Sequence, residues 1–285
     1  MSKLYAFGCS FTHYAWPTWA DFLGLEFDDF ENWGIAGIGN VAIANRVAEC
    51  FVKNEITSKD TVVIQWSSHL RNDYHLFRDT TKGDDTLYNW KTKGSIFNDL
   101  NNKLYDKKWL TNFFDEDSYI MYSLNAIYTT IELLKNKNCK WKMTSIGEFD
   151  KLGQDFYLNP NNYNETISQE TSSLWNREMF FPYKKIWKNN NWITPVGTYC
   201  WKSSPDELYK WNNVIDPHPS PSSAIDWLYN ILKPSLGLPN DSLTIEQKAW
   251  LAQCKEIKEN VNDLQMFGNI LNLELKNFNR GYKGY

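Results

Sequence analysis

Short apolar runs stand at residues 3–8, 28–33, 60–66, 139–146 and 192–196, each too short for a helix and bounded by turn-forming residues. That spacing predicts strands. The run Asp60-Thr61-Val62-Val63-Ile64-Gln65-Trp66 is β-branched and almost unbroken, the pattern of a central strand covered on both faces. Between the runs, apolar residues recur every three or four positions. This predicts a short helix over Trp16–Leu23 with Pro17 in its first turn, and helices over 40–53, 119–137 and 222–232. On the helix over 40–53 the expected buried face carries Val41, Ala44, Val47, Ala48 and Phe51. Strand and helix alternate, so the expected fold is α/β: a three-layer, flavodoxin-like domain over residues 1–235 with a parallel five-stranded sheet.

Two stretches interrupt the alternation. Residues 71–117 are polar, dotted with aromatics and weakly periodic, with a turn signal at Lys82-Gly83-Asp84-Asp85; they read as an insertion with short helices. Residues 147–190 carry few regular signals and many rings, among them Phe156, Tyr157, Tyr163, Trp175, Phe180, Phe181, Tyr183 and Trp187. A long irregular segment of this kind is either a lid over a site or a cap over a sheet edge. After Gly237-Leu238-Pro239-Asn240, which reads as a linker, residues 240–285 read as a C-terminal helical extension. Thr244-Ile245-Glu246-Gln247 is a capping-box pattern opening a long amphipathic stretch. Its seam, from Trp250 and Cys254 to Leu271 and Leu275, suits either an oligomer or assembly contact through 244–275 or folding back onto its own domain.

Composition narrows the function. A net charge of −4 with both signs interspersed leaves no basic block to track phosphates, which speaks against nucleic acid as partner. No apolar run is long enough to predict a membrane span, and the start lacks a signal-peptide pattern, so a cytoplasmic protein is expected. The five cysteines are odd in number and show no CxxC spacing, as expected of reduced thiols. With four histidines, and His69 and His75 lacking the i, i+4 spacing of a helical zinc site, neither a metal nor a cofactor is expected. Asn164-Glu165-Thr166 matches the glycosylation pattern by chance in that setting. The turn Gly34-x-x-Gly37-x-Gly39 has neither the dinucleotide order nor a Gly-Lys-Ser/Thr ending, which argues against phosphate cradling.

Three distant stretches carry the candidate chemistry. Gly8-Cys9-Ser10-Phe11-Thr12 ends the first apolar run, and the end of a strand is where open α/β sheets bind ligands. Asn32-Trp33-Gly34-Ile35-Ala36-Gly37 follows the second, and Asp216-Pro217-His218-Pro219 lies near the end of the α/β part. In this order of blocks the chain resembles the SGNH (GDSL-like) hydrolase superfamily over about residues 3–235, with wording nearest to phage-encoded members. The resemblance implies an ester hydrolase with Ser10 as nucleophile and Asp216 and His218 as the acid/base pair. It places Gly37, with the Ser10 N–H, in the oxyanion hole.

The chain departs from the family pattern at three places. Cys9 replaces an aspartate, Asp216 and His218 are one residue apart rather than two, and the third block reads Gln65-Trp66-Ser67-Ser68-His69 without its asparagine. His69 stands nearest the missing donor, and Ser67, Ser68 or His69 is the candidate substitute. The substrate implied is a small O-acyl ester, such as an acetyl ester on a carbohydrate, with Trp66 and Trp175 as candidate binding surfaces. Cys9 is a weaker nucleophile candidate, because side chains alternate along a strand and its thiol should face the packing. An O-acyltransferase, or a scaffold that binds without catalysis, fits the same blocks.

Overall fold

The computed structural model describes residues 2–77, 88–91, 94–97, 105–149, 173–187, 191–204, 207–276 and 278–283. Four parallel strands form the main sheet: β1 (Lys3–Phe7), β2 (Asp29–Asn32), β3 (Thr61–Trp66) and β6 (Lys140–Ser145), in the order β2-β1-β3-β6. Leu4 pairs with Phe30 on one side and Thr61 on the other, and Trp66 pairs with Ser145, so all four strands end on the same side of the molecule. Between them run α1 (Trp19–Gly24), α2 (Asn40–Lys53), α3 (Lys107–Phe113) and α4 (Glu116–Lys135). A hairpin of β4 (Tyr74–Phe77) and β5 (Tyr88–Lys91) stands in the first insertion.

After β6 come α5 (Lys184–Trp187), α6 (Val196–Ser203), the two-residue strands β7 (Lys210–Trp211) and β8 (Val214–Ile215), and α7 (Pro221–Trp227). A π-turn over Leu228–Leu232 carries α7 into α8 (Lys233–Leu236), followed by α9 (Ile245–Asn260) and α10 (Leu264–Glu274). The right-handed rule for parallel crossovers explains the layers. Stepping from β1 to β2 moves one way across the sheet and puts α1 on one face; stepping on to β3 and β6 moves the other way and puts α2 and α4, which pack together, on the opposite face.

Four strands, not the expected five, make up this sheet. At the fifth position Trp192 forms a single parallel bridge to Met143: Met143 N–H donates to Asn191 O at 2.8 Å and Ile193 N–H to Met143 O at 2.9 Å. The pairing stops there for a chemical reason. Pro195 has no N–H to offer and starts α6, while the Thr194 carbonyl accepts from Thr144 Oγ1 and Trp227 Nε1, both at 3.1 Å. The β2 edge is covered in the same way, since Asn32 N–H donates to Gly281 O at 2.7 Å and Lys283 N–H to Asn32 O at 2.8 Å.

The buried stripe of α2 is rotated from the expected one. Ala42, Ile43, Val47, Cys50 and Phe51 face the core, while Val41 is exposed and Ala48 is not buried. Arg46 shares that stripe, its charge held by hydrogen bonds to Trp33 O and Lys283 O and its guanidinium lying over the Trp33 ring. A charged residue on an apolar stripe hides the periodicity.

The seam beyond residue 240 is used within the chain. Trp250, Cys254, Ile257, Val261, Phe267, Leu271 and Leu275 are buried in the same core as the sheet. The expected single helix is two. The Thr244 capping box forms as predicted, α9 ends at Asn260, and Asp263 caps α10 by accepting from Met266 N–H at 2.8 Å. Buried Gln247 ties α9 to α1 by donating to Phe22 O at 2.9 Å.

Candidate active site

Gly8 ends β1 where no side chain fits: a Cβ there would stand 2.1 Å from Thr12 Oγ1 and 2.8 Å from Gln65 Oε1. The chain then turns tightly, with Thr12 N–H and His13 N–H both donating to Cys9 O at 2.9 and 3.1 Å. Ser10 sits on the crest of this turn. Its own N–H and that of Phe11 have no acceptor among the described residues. Below the crest, buried Gln65 accepts from Cys9 N–H at 3.2 Å, from Thr12 Oγ1 at 3.3 Å and from the Cys9 thiol at 3.4 Å. Cys9 is thus wholly buried against Gln65, and the Ser10 hydroxyl lies 4.0 Å from its sulfur, so the two side chains are not on opposite sides as expected.

Facing this turn, the one-residue spacing of Asp216 and His218 closes a compact loop. Asp216 Oδ1 accepts from the His218 backbone N–H at 3.0 Å and meets His218 Nδ1 at 2.5 Å. Its Oδ2 accepts from the Tyr14 hydroxyl at 2.9 Å. An ionised carboxylate can only accept, so the imidazole proton lies on Nδ1 and the Nε2 lone pair is left facing outward. That Nε2 is 2.7 Å from Ser10 Oγ. Ser10 and Asp216 are each 7% exposed.

Two indoles fix the loop from either side. Trp201 Nε1 donates to Pro217 O and Trp16 Nε1 to Pro219 O, both at 2.8 Å. The Tyr14 ring stacks on the imidazole with centroids 3.8 Å apart and planes 23° from parallel. Burial alone would raise the Asp216 carboxyl, but the hydrogen bonds and charge of His218 and the Tyr14 hydroxyl outweigh it and hold the group below the ordinary aspartate range. Burial, then the Asp216 charge and hydrogen bond, push the Tyr14 hydroxyl far up, so it stays a neutral donor.

The glycine turn runs alongside. Trp33 N–H donates to Ala6 O at 2.8 Å and Ile35 N–H to Gly8 O at 3.0 Å, which extends the β1–β2 pairing up to the Ser10 turn. Gly37 has φ +86°, a conformation that side chains disfavour. Its carbonyl accepts from Gly94 N–H at 3.2 Å, and Asp73 accepts from Gly39 N–H at 2.7 Å, so the loop is braced from the first insertion.

Four other candidate residues do different work. Ser68 Oγ accepts from Leu70 N–H at 3.1 Å, folding the side chain back into its own turn. His69 Nε2 lies 3.5 Å from Glu116 Oε1 at the start of α4, and its ring meets Phe149 edge-on. That histidine contact leads the forces holding the Glu116 carboxyl below its ordinary range. Trp66 is wholly buried and directs its indole N–H at Met143 Sδ at 3.4 Å, a core role that corrects its assignment to a substrate surface. Trp175 packs half-buried against the small cluster of Ile120, Leu124, Leu174 and Phe180. Phe156, Tyr157 and Tyr163 of the expected lid lie outside the described residues.

Tyr14, Trp16, Gln65 and Trp201 were not singled out by the sequence. Of these only Tyr14 and Trp16 carried a usable signal, their closeness to Ser10 in an aromatic run.

No protein-family model matches the chain, and no curated protein matches it. Among solved structures it is similar to a member of the lipolytic protein G-D-S-L family from Veillonella parvula DSM 2008, at 13% identity over 80% of this chain and 95% of that one, with a TM-score of 0.41.

Proposed function

We propose that this chain is a serine ester hydrolase in which Ser10 is the nucleophile, His218 the general base and Asp216 the group that orients the base. The observation that carries the reading is the unbroken line from Ser10 Oγ to His218 Nε2 at 2.7 Å and from His218 Nδ1 to Asp216 Oδ1 at 2.5 Å. A neutral hydroxyl is a weak nucleophile, and this line supplies the base and the orienting group that activate it. Ser10 Oγ attacks the ester carbonyl while its proton passes to Nε2. The imidazolium then gives that proton to the departing alcohol, and water releases the acyl group by the reverse relay.

The negative charge on the carbonyl oxygen is met by backbone donors. Among the described residues the N–H groups of Ser10 and Phe11 have no acceptor, and they stand on the crest of the turn, beside the loop of Gly37. The proposed hole rests first on these backbone groups, with Ser68 and His69 kept as candidate side-chain donors. The proposed substrate is a small O-acyl ester, of which an acetylated carbohydrate is one class.

A fluorophosphonate probe tests the reading. Labelling is expected in the wild type and lost in Ser10→Ala and His218→Ala, with slow turnover of a small acetyl ester that falls ~10⁴-fold or more in either variant. A folded wild type that is neither labelled nor active overturns it.

A further inference from the structure

One stretch, Tyr14-Ala15-Trp16, holds the Asp216-His218 loop at three points. The Tyr14 hydroxyl bonds Asp216 Oδ2, the Tyr14 ring covers the imidazole, and Trp16 Nε1 bonds Pro219 O. Trp16, wholly buried, backs Tyr14 edge-on at 4.6 Å, so the tyrosine ring cannot swing away from the histidine without displacing the core. We propose that Tyr14 is a positioning residue of the relay, its hydroxyl fixing the orienting carboxylate and its ring fixing the plane of the imidazole and bearing on the charge that the ring acquires. The inference rests on reading Ser10, His218 and Asp216 as a catalytic relay.

The two contacts act on the imidazolium in opposite directions. An aromatic face attracts a cation, so the stacked ring favours the protonated imidazole. A hydroxyl that donates to Asp216 draws carboxylate charge away from Nδ1, so it disfavours that same state. Among the described residues, the groups that face the imidazole from every packed element are few. Asp216 and Tyr14 are the titratable ones, Ser10 is the neutral hydroxyl, and Phe11 and Trp16 present uncharged rings at 5.0 and 6.5 Å.

Opposite signs make the proposal separable from a merely structural role. The measurement is the titration of the His218 ring resonance by NMR in wild type, Tyr14→Phe and Tyr14→Leu, with no substrate present. Tyr14→Phe keeps the stack and loses the hydroxyl, and its midpoint is expected to move up. Tyr14→Leu loses both, and its midpoint is expected to fall below that of Tyr14→Phe by about half a pH unit or more. In parallel, Tyr14→Phe is expected to lower kcat about tenfold with KM unchanged. Coincident titrations of all three proteins, with Tyr14→Phe folded and unchanged in kcat, overturn the proposal. Separated titrations in a protein whose Ser10 never labels support the Tyr14 coupling and overturn the hydrolase reading instead.

Discussion

Trp201 donates its indole N–H to the carbonyl of Pro217 at 2.8 Å, and Pro217 is the residue between Asp216 and His218. The same indole packs edge-on against Phe11, the neighbour of Ser10, with centroids 6.1 Å apart. One side chain thus touches both the Ser10 turn and the Asp216-His218 loop.

Trp201→Phe keeps most of that packing and removes the donor. The expected result is a fall in Ser10 labelling rate of about tenfold, with about 1 kcal/mol lost in a urea unfolding curve. An unchanged labelling rate in a destabilised protein would show that the indole serves packing alone.

Gly8→Ala asks whether the Ser10 turn tolerates a methyl group. The added Cβ meets Thr12 Oγ1 and Gln65 at distances no packed carbon adopts, so the turn has to shift. A stability loss of ~1–3 kcal/mol is expected from the overpacking, together with loss of labelling at temperatures where circular dichroism still reports a folded protein.

Asp21 gives stability a pH dependence away from the site. Burial pushes its carboxyl up to about 6, against the hydrogen bonds from Thr18 and Asn32 that pull it down. The folded protein therefore binds this proton more tightly than the unfolded chain does, and the stabilisation present below the ordinary aspartate value is lost as pH rises through about 6. Urea unfolding across that interval should show the wild type losing stability relative to Asp21→Asn. Parallel curves for the two proteins would refute the assignment.

Cutting the chain after Leu238 is expected to abolish cooperative unfolding. The cut removes Trp250, Phe267 and Leu271 from the core that holds the sheet, and each large buried side chain is worth ~2–5 kcal/mol against a total stability of ~5–15 kcal/mol. Near-ultraviolet circular dichroism of the shortened chain checks it; a sharp thermal transition would mean that the sheet domain stands alone.

The parts of the fold that were legible are those where one residue type repeats at one period. The run Thr61–Trp66 announces a buried strand, and Thr244 with Gln247 announces a helix start. What stayed hidden depends on contacts between distant positions. The run 192–196 has strand-like composition, but Pro195 and the side chains that claim the Thr194 carbonyl limit it to a bridge. The seam after 244 reads as one helix because α9 and α10 lie over the same core and keep one spacing across the break, although Asp263 before Leu264 is a cap signal. At the site, Ser10, Asp216 and His218 were picked out by the block order that resembles the SGNH family, and the structure brings these three side chains together. Gln65 and Trp201 were not picked out, since a buried amide and an indole become informative only when the carbonyls, thiol and hydroxyl they bind are known.

The bonds between Asn32 and residues 281–283 also bear on the order in which this protein is made. Arg46 and the Lys283 carbonyl that accepts from it are 237 positions apart in sequence, yet they brace the strand next to β1. Contacts of such span slow folding, because the intervening chain must be confined before they form. During synthesis, then, the Ser10 turn emerges well before residues 281–283, and the β2 edge stays open until those residues follow. Closure of the β2 edge should therefore be a late step, one that follows the docking of residues 281–283.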